Sequence, residues 1–335
     1  RGVYIDQALN VVYPADVRQD RPVEVFMAHM DVVFSDESEL PLRVEDGRIY
    51  CPGVGDDTAC LVCLLLAGKY IAEHVDSPQW REIRREDAPG LLLVCNAGEE
   101  GLGNLKGVHK ICEDFGDRIE RFCTFDSSLS SIVDRAVGSK RFRVRVRTRG
   151  GHSYDDFGND NAIAGLASLV GKLYGIRVPE GGKTTYNVGM ISGGTSVNTI
   201  AQEAEMLYEF RSDRRENLEY MERQFMEVFD RAKAEGMDVS FKVIGVRPCE
   251  GQVDPKRKQA LSDWAHRVVE EMTGQAPKHC AGSTDCNIPL SLGIPSVCVG
   301  SFRGAGAHTW EEYVETDSLE EGYKVAFGMI FGSRD

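Results

Sequence analysis

His29 and Asp31 lie in Glu24-Val-Phe-Met-Ala-His29-Met-Asp31-Val-Val33, an apolar run that follows Pro22, precedes Ser35-Asp36-Glu37 and reads as a buried strand. Side chains two apart on a strand point the same way, so the imidazole and the carboxylate reach one spot. An unpaired polar group inside a sheet costs about 2–7 kcal/mol. The pair therefore either satisfies itself or serves chemistry, and one His-x-Asp alone does not decide which. Further groups do. Tyr50-Cys-Pro-Gly-Val-Gly55-Asp56-Asp57 sets two carboxylates after a glycine-rich turn, where Asp57 suits the cap of a following helix and Asp56 is left over. Asn96-Ala-Gly-Glu99-Glu100-Gly101 ends a second strand, and adjacent glutamates point apart, so one can hold a metal while the other faces substrate. Phe122-Cys-Thr-Phe-Asp126 ends a third, and Gly304-Ala-Gly-Ala-His308-Thr-Trp310 places a histidine in a flexible glycine loop after the last strand. Consecutive strand ends bearing histidine or carboxylate are poorly explained by solvation. Two histidines with three carboxylates suit zinc, cobalt or manganese, and suffice for two ions sharing a bridging carboxylate.

The elements that carry these groups alternate. Strands are expected at 3–13, 23–33, 90–96 and 121–126, with helices at 57–74 and 104–115, the pattern of an α/β fold with a mostly parallel sheet. From Gly138 the texture changes. Arg141-Phe-Arg-Val-Arg-Val-Arg-Thr-Arg149 alternates strictly, and a helix at 159–175, strands at 185–191 and 202–211, a helix at 215–235 and a strand at 238–246 complete β-α-β-β-α-β. In that ferredoxin-like order the first and third strands are antiparallel neighbours. The arginine row then faces Glu203, Glu205 and Glu209 across strands, which cancels a basic stripe for nucleic acid. After Pro248 the α/β texture returns with a helix at 255–273, a strand at 294–299 and a helix at 319–331. The expected organisation is a catalytic domain of 1–136 plus 247–335, interrupted by an inserted domain of 137–246.

With 335 residues the chain exceeds the size of one typical core, and its 42% hydrophobic and 27% charged residues are ordinary for a soluble globular protein. A net charge of −14 argues against nucleic acid or an anionic membrane as partner. The longest apolar run, Leu61 to Leu66, is far below the roughly 18 residues of a membrane span. The 10 cysteines are scattered through apolar segments and read as reduced core residues of a cytoplasmic protein. Cys60-x-x-Cys63 falls on a helix with no second pair, so core packing explains it better than zinc or redox chemistry. No signal peptide opens the chain, and Arg1-Gly-Val-Tyr-Ile begins as though inside a strand, so a natural N-terminus upstream is expected.

Taken together, Ala-His29-Met-Asp31, Gly55-Asp56-Asp57, Gly98-Glu99-Glu100-Gly101, Phe125-Asp126, Gly150-Gly-His152-Ser, Asn198, Arg211 and Ala307-His308 resemble the M20 metallopeptidase family. The resemblance spans nearly the whole chain. It implies a zinc-peptidase-like catalytic domain and a lid and homodimerisation domain in the insert. It implies two divalent ions, zinc foremost with cobalt or manganese as alternatives, and Asp56 as their bridge. Glu100 and His29 would share one ion, Asp126 and His308 the other. Asp31 would accept the second N–H of His29, and Glu99 would act as general base and then general acid. The Asp56–Asp57 peptide would be cis. His152 would reach the partner subunit's site to stabilise the oxyanion, with Asn198 and Arg211 contacting a substrate carboxylate, although a cross-strand ion pair also explains Arg211. Aspartate rather than glutamate at 126 is similar to peptidase T and the dipeptidases. A short-peptide aminopeptidase is therefore expected first, an N-acyl or N-carbamoyl amino-acid amidohydrolase second, and an inactive binding homologue third.

Overall fold

Every residue of the strand Val23–His29 is buried, because helices cover both faces of its sheet. Phe26 and Ala28 pack into one apolar cluster with residues of the helices Cys60–His74, Pro255–Thr273 and Ser318–Phe331. Val23, Val25 and Met27 pack into the other, against Lys106–Phe115 and Asn287–Ser291. In the computed structural model, which describes residues 2–18, 20–34, 39–78, 80, 84 and 88–332, eight strands lie side by side. Their order is Tyr4–Ile5, Val11–Ala15, Gly90–Asn96, Val23–His29, Ile119–Phe125, Ser296–Val299, Ser131–Ala136 and Lys278–Gly282. Arg1 and the Ser35-Asp36-Glu37 cluster lie outside the described residues. Among those described, no helix is long and apolar enough to cross a membrane, and all ten cysteines are free.

The sheet is parallel from Gly90–Asn96 through Ser296–Val299, and Val11–Ala15 and Ser131–Ala136 flank that centre antiparallel. The carboxyl ends of neighbouring parallel strands thus emerge along one edge, where open α/β sheets place their functional groups. Several elements differ from the sequence expectation. The strand expected over 3–13 is broken after Ile5, because the Asp6 carboxylate accepts the backbone N–H groups of Ala8 and Asn10 at 2.8 and 2.9 Å and turns the chain. The helix expected from 57 begins at Cys60, after a wide turn over Val54–Ala59, and Asp57 does not cap it. Ser131–Ala136 and Lys278–Gly282 are additional strands. So are four short ones, ordered Gly304–Ala305, Tyr313–Glu315, Arg48–Tyr50 and Arg43–Glu45, too brief to show a period.

The chain divides into two compact units, 1–136 with 250–335, and 137–249. In the second, the strands lie in the order Thr184–Gly193, Glu203–Ser212, Gly138–Arg147 and Asp238–Arg247, all antiparallel, with the helices Ala162–Tyr174 and Arg215–Ala234. This is the ferredoxin-like arrangement. Its core is aromatic, with Phe142 stacked on Phe225 at 4.1 Å. Arg141 meets Glu209 at 3.3 Å, Arg145 meets Glu205 at 2.9 Å and Arg147 meets Glu203 at 3.0 Å.

In the first unit, Glu24 is wholly buried and meets Arg121 at 2.9 Å and Arg84 at 3.5 Å, while the Arg121 guanidinium lies 4.7 Å from the Trp264 ring centre. Removing one partner of such a group leaves charge without compensation, a loss of about 3–5 kcal/mol. Glu24→Ala is expected to lower stability by that amount, read as a lower midpoint in chemical denaturation; an unchanged midpoint would show that the arginines do not need it.

Candidate metal centre

His29 is the last residue of its strand and is 1% exposed. Its ring is held on both sides, with Nδ1 2.9 Å from the backbone oxygen of Asp31 and Nε2 3.0 Å from Asp56 Oδ1. Its backbone N–H donates to Asp57 Oδ2 at 2.9 Å, which gives the buried Asp57 a positioning task in place of the expected helix cap. The peptide between Asp56 and Asp57 is cis. From the other side, His308 Nε2 lies 3.0 Å from Asp56 Oδ2 and 2.9 Å from Glu100 Oε1. One carboxylate therefore faces two imidazoles, each with its own oxygen.

Three overlapping groups have donor atoms within 4.8 Å of one another: His29 with Asp57 and Asp126, His29 with Glu99 and Glu100, and Asp56 with Glu100 and His308. The groups differ from the expected partition: Glu100 lies near His308 as well as near His29, and Asp126 lies near His29. Strand order explains the second half, since Ile119–Phe125 lies directly beside Val23–His29. The clamp on residues 98–100 explains the first.

That clamp is Asp31, whose role also differs from expectation. It is the Asp31 carbonyl, not its side chain, that meets His29 Nδ1. The carboxylate accepts the backbone N–H groups of Gly98 at 2.7 Å, Glu99 at 3.2 Å and Glu100 at 2.8 Å. Gly98 at φ +81°, a conformation that disfavours a Cβ, lets the three amides converge. Three backbone donors hold a carboxylate more firmly than one imidazole does.

Glu312 does the same for the bridge. It is 2% exposed, and its oxygens accept the N–H groups of Gly53 at 2.7 Å, Gly55 at 2.8 Å and Asp56 at 2.8 Å. Four residues before it, His308 occupies the turn between the short strands Gly304–Ala305 and Tyr313–Glu315 at φ +65°. The loop expected to be flexible is thus a hairpin whose glutamate grips the Asp56 turn. Nothing in the sequence distinguishes Glu312 from the neighbouring Glu311. Asp285, in Gly282-Ser-Thr-Asp285, is a second buried acid without an assigned role, accepting from Asn96 Nδ2 at 2.8 Å.

The electrostatics fit a cation. Burial draws the His29 imidazole toward neutrality, but Asp57, Asp56, Asp126 and Glu99 outweigh it and hold its pKa well above the ordinary histidine range. Burial, with repulsion from Asp56, Glu99 and Glu100 outweighing His29, pushes Asp126 up to about 7. Burial raises Glu100 as well, with Glu99 and Asp56 adding to it. Asp285 rises to about 8 through burial and then Glu99. Asp56, between two imidazoles that outweigh its burial, is lowered. Nitrogen and oxygen donors around an excess of buried negative charge are the donor set of zinc, cobalt or manganese.

The remaining expected site residues lie in the second unit. The short ribbon pairs His152 with Thr199, and the carbonyl of Asn198 accepts the Ser153 N–H at 3.0 Å, so His152 and Asn198 are neighbours. His152 is exposed, with Nδ1 3.2 Å from Asp155. Arg211 is not with them. It stands near the far end of Glu203–Ser212, where Glu209 holds its guanidinium at 2.8 and 3.1 Å, an ion pair along one strand rather than across two.

The chain matches peptidase family M20/M25/M40 over residues 25–331. It is 24% identical to the succinyl-diaminopimelate desuccinylase of Nitrosomonas eutropha, covering 90% of this chain and 80% of that one. Among solved structures, a tripeptidase from Staphylococcus aureus superposes with a TM-score of 0.72 at 21% identity, over 99% of this chain and 88% of that chain. A dinuclear metal-binding M20 peptidase from Bacillus subtilis superposes with a TM-score of 0.60 at 17% identity, over 98% and 87%. The fold, the strand-end carboxylates and histidines, and a family match over almost the full length agree: the chain belongs to peptidase family M20/M25/M40, a family of hydrolases.

Proposed function

We propose that this chain hydrolyses an amide bond in short peptides, using two divalent ions, zinc foremost, held by His29, Asp56, Glu100, Asp126 and His308. The observation that carries this reading is Asp56, with one oxygen 3.0 Å from His29 and the other 3.0 Å from His308. When bound, such ions polarise a scissile carbonyl and bring the pKa of water toward neutrality. The chain's own residues supply the rest. Glu99 is 5% exposed and its backbone N–H is fixed by Asp31, so its carboxylate is presented from a rigid turn. It accepts the proton of the attacking water on a carboxylate oxygen and delivers it to the leaving amine nitrogen. Asp31 and Glu312 neither bind substrate nor move protons; they hold the Glu99–Glu100 turn and the Asp56 turn.

Aspartate at 126 supports a peptide substrate. The desuccinylase likeness across 90% of the chain favours a second reading, hydrolysis of an N-acyl or N-carbamoyl amino acid by the same residues.

The second unit is proposed as a lid and as the contact surface of a homodimer. Arg211 stands eight positions beyond Glu203, the first residue of its strand, roughly 26 Å at about 3.3 Å per residue. One short substrate does not span that distance to reach His152 and Asn198 of the same copy. His152 is proposed to reach the partner subunit's site and stabilise the tetrahedral oxyanion, with Asn198 and Arg211 as contacts for a substrate carboxylate. Glu209 engages Nε and Nη2 of Arg211, and among the described residues Nη1 has no hydrogen-bond partner, so it is available to a substrate carboxylate.

Glu99→Ala is expected to keep its metal content while turnover falls about 10²–10⁴-fold, and His308→Ala to lose bound metal; parental activity in Glu99→Ala would remove Glu99 from the mechanism. Glu312→Ala should weaken metal affinity by about 10–100-fold, measured by titration calorimetry, because the bridging carboxylate loses its anchor. Mixing His152→Ala chains with Glu99→Ala chains should restore activity that neither has alone, since one site of each hybrid is then complete. Mixtures that stay inactive would rule out the cross-subunit role.

A further inference from the structure

At the far end of the large sheet, on its last two strands Ser131–Ala136 and Lys278–Gly282 and on the helix Pro255–Thr273 beside them, side chains from three elements form one line. Asp134 Oδ2 lies 2.7 Å from His279 Nδ1 and accepts the Ser262 hydroxyl at 2.8 Å. His279 Nε2 lies 2.9 Å from His266 Nδ1, and the two ring planes are 6° apart. His266 Nε2 ends the line, 3.9 Å from a carboxylate oxygen of Glu270 at the i+4 position of the same helix. We infer that His266 Nε2 and Glu270 form a peripheral site for a divalent cation of the zinc and copper class, with solvent completing its shell.

Hydrogen-bond direction carries the argument. A carboxylate only accepts, so His279 donates to Asp134 through Nδ1. When both rings are neutral, His279 Nε2 is then an acceptor and takes the Nδ1–H of His266. The same rule leaves His266 Nε2 a bare lone pair. It faces a second group that only accepts, the Glu270 carboxylate, and two acceptors face one another favourably when a cation lies between them. Bonds of about 2.0–2.2 Å from one ion to nitrogen and to oxygen span up to about 4.2 Å, so a single ion reaches both atoms across the observed gap.

The rest of the line supplies what a metal-binding imidazole needs, a held second nitrogen that fixes tautomer and ring orientation. The root is firm: Ser262 is 3% exposed, and Arg135 Nε lies 3.7 Å from the other oxygen of Asp134. The ligating end is open, with the Glu270 side chain 54% exposed and free to close on an ion. Lys278–Gly282 lies four strands from Val23–His29, about 19 Å at roughly 4.8 Å per strand. The site therefore stands apart from the candidate metal centre, and its existence does not depend on amide hydrolysis.

The test starts from full-length protein already loaded with zinc and freed of excess ion. It is titrated with Zn2+ and, in parallel, with Cu2+, and metal per chain is read by equilibrium dialysis. Expected is one further equivalent, bound more tightly for copper than for zinc. His266→Gln and Glu270→Gln should each weaken that equivalent tenfold or more while the metal bound at the start stays at the parental value. His279→Gln, which keeps both ligands and removes their support, should weaken it about tenfold. A further equivalent retained at parental affinity in His266→Gln, or none in the parent, would overturn the site and reduce His266 and Glu270 to a helix ion pair. A measurement free of variants is the broadening of imidazole proton resonances by substoichiometric Cu2+: His266 and His279 should broaden first, and earlier broadening of His74, His109 or His152 would overturn the assignment.

Discussion

Like charges packed out of water hold together only if donors or cations meet them, and the candidate metal centre is arranged around that constraint. Two unit charges about 4 Å apart repel by roughly 4 kcal/mol at an effective dielectric of about 20. Glu99, Glu100, Asp56, Asp57 and Asp126 are gathered around His29 and His308. Four acids of this region contrast in pairs. Asp31 and Glu312 each accept three backbone N–H groups. Glu100 and Asp126 have pKa values raised by burial and mutual repulsion, the condition that a bound cation would relieve. Asp31 and Glu312 thus differ from Glu100 and Asp126 in what the backbone offers them.

The same constraint explains the scaffold. Parallel strands with both faces covered deliver His29, the Glu99–Glu100 turn and Asp126 along one edge, in neighbouring positions. His308 and Glu312 arrive from a sheet of very short strands more than 200 positions away in sequence. One hairpin therefore brings a histidine to Asp56 and grips the turn that carries Asp56. Its glycine-thin wall also bounds an adjacent cavity.

Long, periodic elements were legible because burial imposes a period. The helix at 255–273 lies where the sequence places it, and the arginine and glutamate rows face one another across Gly138–Arg147 and Glu203–Ser212. Short elements were not, since two or three residues carry no period. The contribution of Asp31 was half legible. Its proximity to His29 follows from their spacing, but whether the carbonyl or the carboxylate meets the imidazole depends on the Gly98 turn, which donates three amides and wins the carboxylate. Asp57 looked like a helix cap because its neighbours are a glycine turn and a helix; instead the His29 N–H takes it.

The sequence by itself determined which side chains are available for chemistry, the α/β frame with its ferredoxin-like insert, and the family. Those follow from residue types, local periods and their order along the chain. Only the tertiary structure decided the pairings: Glu100 with His308, Asp126 with His29, Glu312 on the Asp56 turn, and Arg211 well apart from His152. Such pairings are set by strand order and by competition for backbone N–H groups, and both are properties of segments that meet in space rather than of any one stretch.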